Sequence, residues 1–280
     1  MARKTNRVKF EVFGKEMHAE EQYYLGDHTL PTAQSKFEWS KEMIEAHERC
    51  KTDIIFFAEN FFTIISKSKR IKIPLRDYQK KFLNDAMNHK RILALQSRQS
   101  GKSTLMTVYA LWLANFFPDQ AIIVCAHKGE TAKMLFERIK LAYKELPNWL
   151  KEPVLEWNKS SMRLENGSSI VTTNTTAEGP RGNSLSCLIL DEFAFVAPEI
   201  AQQFWTAVAP TLANNPDARM FVSSTPNGIG NLFHTLYDKA EKGENEFVIE
   251  NVIWSDVPGR DEEWKKQTIK NDCFGDEEIF

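Results

Sequence analysis

Two short stretches contain the residue types needed to hold a phosphate chain and cleave it with water. The first, SRQSGKST at positions 97–104, sets Gly101, Lys102 and Ser103 between an apolar run, RILALQ, and a helical one. A helix that opens there converges its first backbone N–H groups on one anion, while the lysine reaches the outer phosphates and the hydroxyl a hard divalent cation. The loop is poor in glycine: Gln96 stands where a glycine usually opens such a loop, and Arg98 sits four residues before the lysine. The second stretch, CLILDE at 187–192, ends an apolar strand with Asp191 and Glu192. The aspartate suits Mg2+, directly or through water. The glutamate suits a general base that polarises an attacking water, which favours hydrolysis over transfer to a small alcohol.

Other residues gather around these. MFVSSTPNG at 220–228 brings Ser223, Ser224 and Thr225 to a strand end, where hydroxyls can bond the γ-phosphate or the water and pass its loss on to the following loop. Upstream, LRDYQ at 75–79 offers Gln79, whose donor and acceptor match the N6/N7 edge of adenine, with Tyr78 or Arg76 to stack on the base; an exposed helix start is the equal alternative. Ser97, Gln99, Ser100 and Thr104 complete the phosphate loop. Two arginines compete for the charge that builds during hydrolysis. Arg98 lies in the loop itself. Arg181, in EGPRGNS, is presented between Gly179, Pro180 and Gly182 and can reach the same nucleotide, a neighbouring subunit's nucleotide or DNA phosphates. His127, just after the second strand, could touch substrate but reads rather as structural or surface, and no His/Cys metal cluster is evident.

The elements that must position these groups follow from hydrophobic pattern. RILALQS, AIIVCAH, LSCLILDEF, ARMFVSS and EFVIENVIW read as strands apolar on both faces, separated by helical stretches. SMRLENGSSIVTTN alternates about Asn166 and Gly167 as a hairpin. The expected fold is therefore α/β, with a mainly parallel central sheet flanked by helices and a small N-terminal helical subdomain. TDIIFFAENFFTIIS reads as one buried helix, and KSKRIK as a short basic strand or turn. The expected division is a loosely structured arm over 1–34, a helical subdomain over 35–73, a nucleotide-binding domain over 74–270 and the start of a linker over 271–280. With 280 residues and a net charge of −2, the chain is long enough for one substantial core but has no global basic signature for nucleic acid. Its four cysteines are scattered, with no CxxC pair, as in a reduced intracellular protein.

In this order and at these spacings, LRDYQ, SRQSGKST, CLILDE and SSTPNG resemble the ATPase domain of the large terminase subunit of tailed bacteriophages, nearest the T4-like group. DIIFFAENFF before the glutamine motif fits as well, and the glycine-poor loop is the most specific element. The resemblance spans roughly 35–270. It implies a P-loop fold of the RecA-like (ASCE) type and Mg2+-dependent ATP hydrolysis that drives double-stranded viral DNA into a procapsid. It also implies Gln79 with Tyr78 at adenine, Lys102 and Ser103 at the phosphates, Arg98 as a finger in cis, Asp191 on magnesium and Glu192 as catalytic glutamate. Ser224 and Thr225 fall in a coupling motif that is usually threonine-rich; related motors take an arginine from the next subunit, which keeps Arg181 in play. The implied partners are a portal protein, a small terminase subunit and the procapsid, with a ring of identical subunits when assembled and a monomer possible in isolation. The implied setting is the cytoplasm of an infected bacterium rather than the mature virion. The family's C-terminal nuclease domain is not expected within these residues, so no DNA cutting is expected of them. Two other readings remain open on the residues alone: a superfamily 2 helicase-like ATPase, and a catalytically silent DNA-binding or scaffold module.

Overall fold

The computed structural model describes residues 9–12, 15–18, 22–179 and 185–277. An N-terminal pair, β1 (Lys9–Val12) and β2 (Lys15–His18), is antiparallel. Helices α1 (Lys41–Thr52) and α2 (Ile54–Phe61) follow, parted by Asp53, whose carboxylate accepts from the Phe56 N–H at 2.8 Å and so caps the second helix. The long buried helix expected over this stretch is shorter than read. It stops at Phe61, and β3 (Thr63–Ser66) pairs with β4 (Lys69–Lys72) in a hairpin. The run Thr63, Ile64, Ile65 is β-branched and loses side-chain freedom in a helix, so a strand partner within reach decides the outcome.

Helix α3 (Asp77–Asn88) leads into β5 (Arg91–Gln96), α4 (Lys102–Phe116), β6 (Ala121–Ala126) and α5 (Gly129–Glu145). Three strands then form the antiparallel end of the sheet: β7 (Val154–Trp157), β8 (Ser161–Leu164) and β9 (Ser169–Asn174). The chain continues through β10 (Cys187–Asp191), α6 (Pro198–Ala213), β11 (Arg219–Ser224), α7 (Leu232–Glu241), β12 (Val248–Val252) and α8 (Glu262–Asp272). The eight-stranded sheet runs β12-β5-β11-β10-β6-β9-β8-β7, parallel from β12 to β9 and antiparallel beyond. Strand β11 lies between the strand that leads into the phosphate loop and the strand that ends in Asp191. Both stretches singled out by their chemistry therefore leave the same edge of the sheet, with the hydroxyls of β11 between them.

Strand alternation divides the core in two. Cys187, Ile189 and Phe221 face the side covered by α1 to α5; Leu188, Leu190, Met220 and Val222 face α6 and α7. Phe221 is fully buried against Tyr109, with centroids 4.7 Å apart and planes at 79°. The N-terminal helices share the first of these cores, since Cys50, Ile54 and Phe57 are buried in it and Trp112 on α4 donates its indole N–H to the Cys50 carbonyl at 2.8 Å. All four cysteines are free and buried, and burial pushes the thiols of Cys50, Cys125 and Cys187 up to about 12. Among the described residues no helix is long and apolar enough to cross a membrane.

Candidate active site

The phosphate loop is the turn between β5 and α4. Gly101 precedes the helix with φ +96°, a left-handed conformation that glycine tolerates, and an added Cβ would lie 2.4 Å from the Gln79 amide nitrogen. Gln99 is also left-handed, with φ +60°. Where most such loops rely on glycine, a glutamine here carries the strain. The side chains that hold it come from outside the loop. Tyr78 donates its hydroxyl to the Ser100 carbonyl at 2.8 Å and Gln79 its amide N–H to the same oxygen at 2.9 Å. The Gln79 oxygen accepts from the Arg76 N–H at 3.0 Å, so this side chain is buried and bonded at both ends. Inside the loop Ser100 donates to the Gln96 side-chain oxygen at 3.0 Å, and the Ser97 N–H donates to the Val252 carbonyl at 2.8 Å. The Gln96 amide nitrogen and the Ser97 hydroxyl are buried without a partner.

Asp191 is buried at the end of β10, which explains its need for donors. It has two: Ser103 donates to one carboxylate oxygen at 2.8 Å and Ser223 to the other at 2.7 Å. Glu192 follows in the left-handed region (φ +55°), a strained conformation for a residue with a side chain. Its Oε1 meets the Lys102 ammonium at 2.7 Å, and its Oε2 accepts from both the N–H and the hydroxyl of Thr225, each at 3.2 Å. Burial pushes the Glu192 pKa up, but the Lys102 hydrogen bond and charge, with the Thr225 donors, outweigh it and leave it below the usual glutamate value. The Ser224 hydroxyl accepts from the Ala194 N–H at 3.2 Å, and Asn227 donates to the Ala194 carbonyl at 2.9 Å. The end of β11 is thus tied to the turn that carries Glu192.

A cavity of about 740 Å³ opens at this sheet edge. Arg98, Gln99 and the loop residues Gly101, Lys102, Ser103 and Thr104 line one side, and Glu192 with Thr225 the other. Asp191, Ser223 and Ser224 lie buried beneath. Tyr78 and Gln79 stay outside the lining, behind the loop, and Arg181 lies outside the described residues. The sequence does not single out the remaining wall: Lys128 just before α5, Thr131 and Arg138 on it, and Phe195 after Glu192. His127, read as structural, also lines the cavity; its Nδ1 is buried without a partner and its ring lies 5.9 Å from that of Phe195. Its position one residue past an apolar strand, at the edge where Asp191 emerges, was the available signal.

The donor set fits a nucleotide with magnesium. A hydroxyl and a carboxylate already 2.8 Å apart are hard oxygen donors of the kind Mg2+ takes alongside water and phosphate. Lys102, nearly buried at a helix N-terminus, supplies the cation for a phosphate, and the cavity is of the size that takes a small molecule.

Comparison with known proteins agrees on the fold. The ATPase domain of the large terminase of Thermus phage P74-26 superposes with a TM-score of 0.54 at 22% identity, over 65% of this chain and 83% of that one. The large terminase of bacteriophage HK97 gives 0.61 at 18%, over 78% of this chain and 47% of that one. The large terminase of another thermophilic bacteriophage, in complex with ADP, gives 0.53 at 15%, over 70% of this chain and 50% of that one. This chain thus matches about half the length of the latter two proteins. Residues 93–276 match the family model described as terminase large subunit, T4likevirus-type, N-terminal. With about two thirds of its residues under that model, the chain belongs to the T4-like family of terminase large-subunit N-terminal regions.

Proposed function

We propose that this chain hydrolyses ATP with Mg2+ and that the hydrolysis drives double-stranded DNA into a viral procapsid. The observation that carries the reading is the joined pair of contacts at the sheet edge, Lys102 to Glu192 at 2.7 Å and Ser103 to Asp191 at 2.8 Å. Family membership supports the packaging role, and the ADP held by one of the phage relatives supports an adenine nucleotide. A portal protein, a small terminase subunit, the procapsid and neighbouring copies in a ring are the partners this role requires.

The division of labour follows from the contacts. Lys102 and the first amides of α4 bind the phosphate chain. Ser103 and Asp191 hold the magnesium ion, which when bound offsets the charge that builds on the phosphates. A phosphate group competes with Glu192 for the Lys102 ammonium. Once Lys102 turns to it, Glu192 loses its counter-ion and its pKa rises, while Thr225 keeps Oε2 in place. Oε1 is then free to take a proton from the attacking water. Arg98 extends from the loop toward the same cavity, where a guanidinium stabilises transferring charge. Loss of the outer phosphate returns Lys102 to Glu192, and Thr225, Ser224 and Asn227 pass that change to the loop after β11. The test is turnover by the wild-type chain with and without linear double-stranded DNA. Stimulation by DNA supports the motor reading; turnover indifferent to DNA with all partners present contradicts it.

A further inference from the structure

The segment after β12 turns back onto the phosphate loop. Ile253 starts it, its N–H donating to Asp256 at 2.8 Å around a short turn, and the Arg260 N–H closes on the Val257 carbonyl at 3.1 Å. There the Arg260 guanidinium donates to the carbonyl of Arg98 at 3.0 Å. The guanidinium lies over the Trp264 ring, 4.9 Å from its centroid, and Trp264 stacks on Trp254 at 6.0 Å and 24°. Burial and the neighbouring Arg76 push the Arg260 pKa down, against a smaller opposing pull from Tyr78. A second guanidinium beside it is unfavourable, so packing on the indole and the carbonyl bond are what hold Arg260 there.

The contact matters because of which residue it restrains. Gln99 is left-handed without being glycine, and the carbonyls on both sides of it, those of Arg98 and Ser100, are held by side chains from other elements. Tyr78 and Gln79 on α3 hold Ser100, with Arg76 donating in turn to the Tyr78 hydroxyl at 2.6 Å. Arg260 holds Arg98. A loop that lacks the glycine usual at its opening is kept in shape from two sides, and the side nearest the arginine is supplied by the segment after the last strand.

The geometry points to Arg260 as a positioning residue for the arginine of the phosphate loop: it fixes the Arg98 peptide so that the Arg98 side chain enters the cavity at one angle. This rests on the proposed hydrolysis for its effect on turnover, but not for its effect on the loop. The experiment compares wild type, Arg260→Ala, Arg260→Lys and Trp264→Leu by amide hydrogen exchange over 97–101 and by steady-state ATP turnover. In Arg260→Ala, loop exchange speeds up and kcat falls about tenfold, the size expected for one lost charge-assisted hydrogen bond, with KM changed much less. Arg260→Lys recovers part of both effects, since one donor still reaches the carbonyl, and Trp264→Leu falls between. Exchange of 97–101 in Arg260→Ala equal to wild type overturns the proposal whether or not the protein hydrolyses ATP. If the wild type does turn over, an unchanged kcat in that variant overturns it too. A wild type without turnover counts against hydrolysis, and the exchange comparison still decides the role of Arg260.

Discussion

Gly101 and Glu192 both line the cavity, and both adopt left-handed backbone, the glycine without steric cost and the glutamate under strain. Gly101→Ala adds a Cβ at φ +96° into the Gln79 amide, which cannot move without releasing the Ser100 carbonyl. The expected loss of stability is about 1–3 kcal/mol, together with weakened nucleotide binding, read by chemical unfolding and by titration with a fluorescent nucleotide. A variant with unchanged stability and affinity contradicts the view that the loop depends on this close approach. At this scale much was legible in the sequence. Gly-Lys-Ser before a helix and Asp-Glu after an apolar run are local signals, and a parallel sheet brings strand ends to one edge, so their meeting follows from topology. Arg260 and Arg138 were not legible. Arg260 reaches Arg98 across 162 positions of sequence, and no local pattern marks a side chain whose partner is a backbone carbonyl so far away.

Between elements, α3 is joined to the edge strand β12 by a buried carboxyl. Glu250 is 3% exposed, paired with Lys81, which also bridges to Asp85 at 2.9 Å. Burial and the Asp85 carboxyl, against the opposing pull of Lys81, push the Glu250 pKa up to about 7. An unfolded glutamate titrates near 4.3, roughly, so between those values the folded chain holds a proton that the unfolded one releases. Stability from this group is full below the unfolded pKa and is lost as pH rises through about 7. Glu250→Gln removes the titration. The slope of stability against pH over this window flattens, and stability above pH ~7 rises by on the order of 1 kcal/mol, measured by urea unfolding across the range. A variant with the wild-type slope contradicts the assignment. The parallel strands at the centre of the sheet were legible because each is a continuous apolar run. Short strands such as β3, in its separate hairpin, and β7, at the sheet edge, are not legible: four residues with one buried side chain each offer too little pattern.

In the whole molecule, the helices before residue 62 and the nucleotide-binding sheet share one hydrophobic core. Phe57 is fully buried and meets Phe116 of α4 at 5.4 Å and Phe62 at 6.4 Å. Phe57→Ala therefore destabilises the sheet as much as the helices, by about 3–5 kcal/mol, and heat unfolding remains one transition that moves to lower temperature. A separate early transition for the N-terminal helices contradicts this. The same core adjoins the site: α4 begins with Lys102 and Ser103 at the cavity and ends with Phe116 packed on Phe57. Glu192 as the base of ATP hydrolysis is probed by Mg2+-dependent ATP turnover of wild type and Glu192→Gln, with nucleotide binding measured on both. Turnover in Glu192→Gln falls about 10²-fold or more, in the range for a general base, with nucleotide still bound. Wild-type turnover in Glu192→Gln contradicts it.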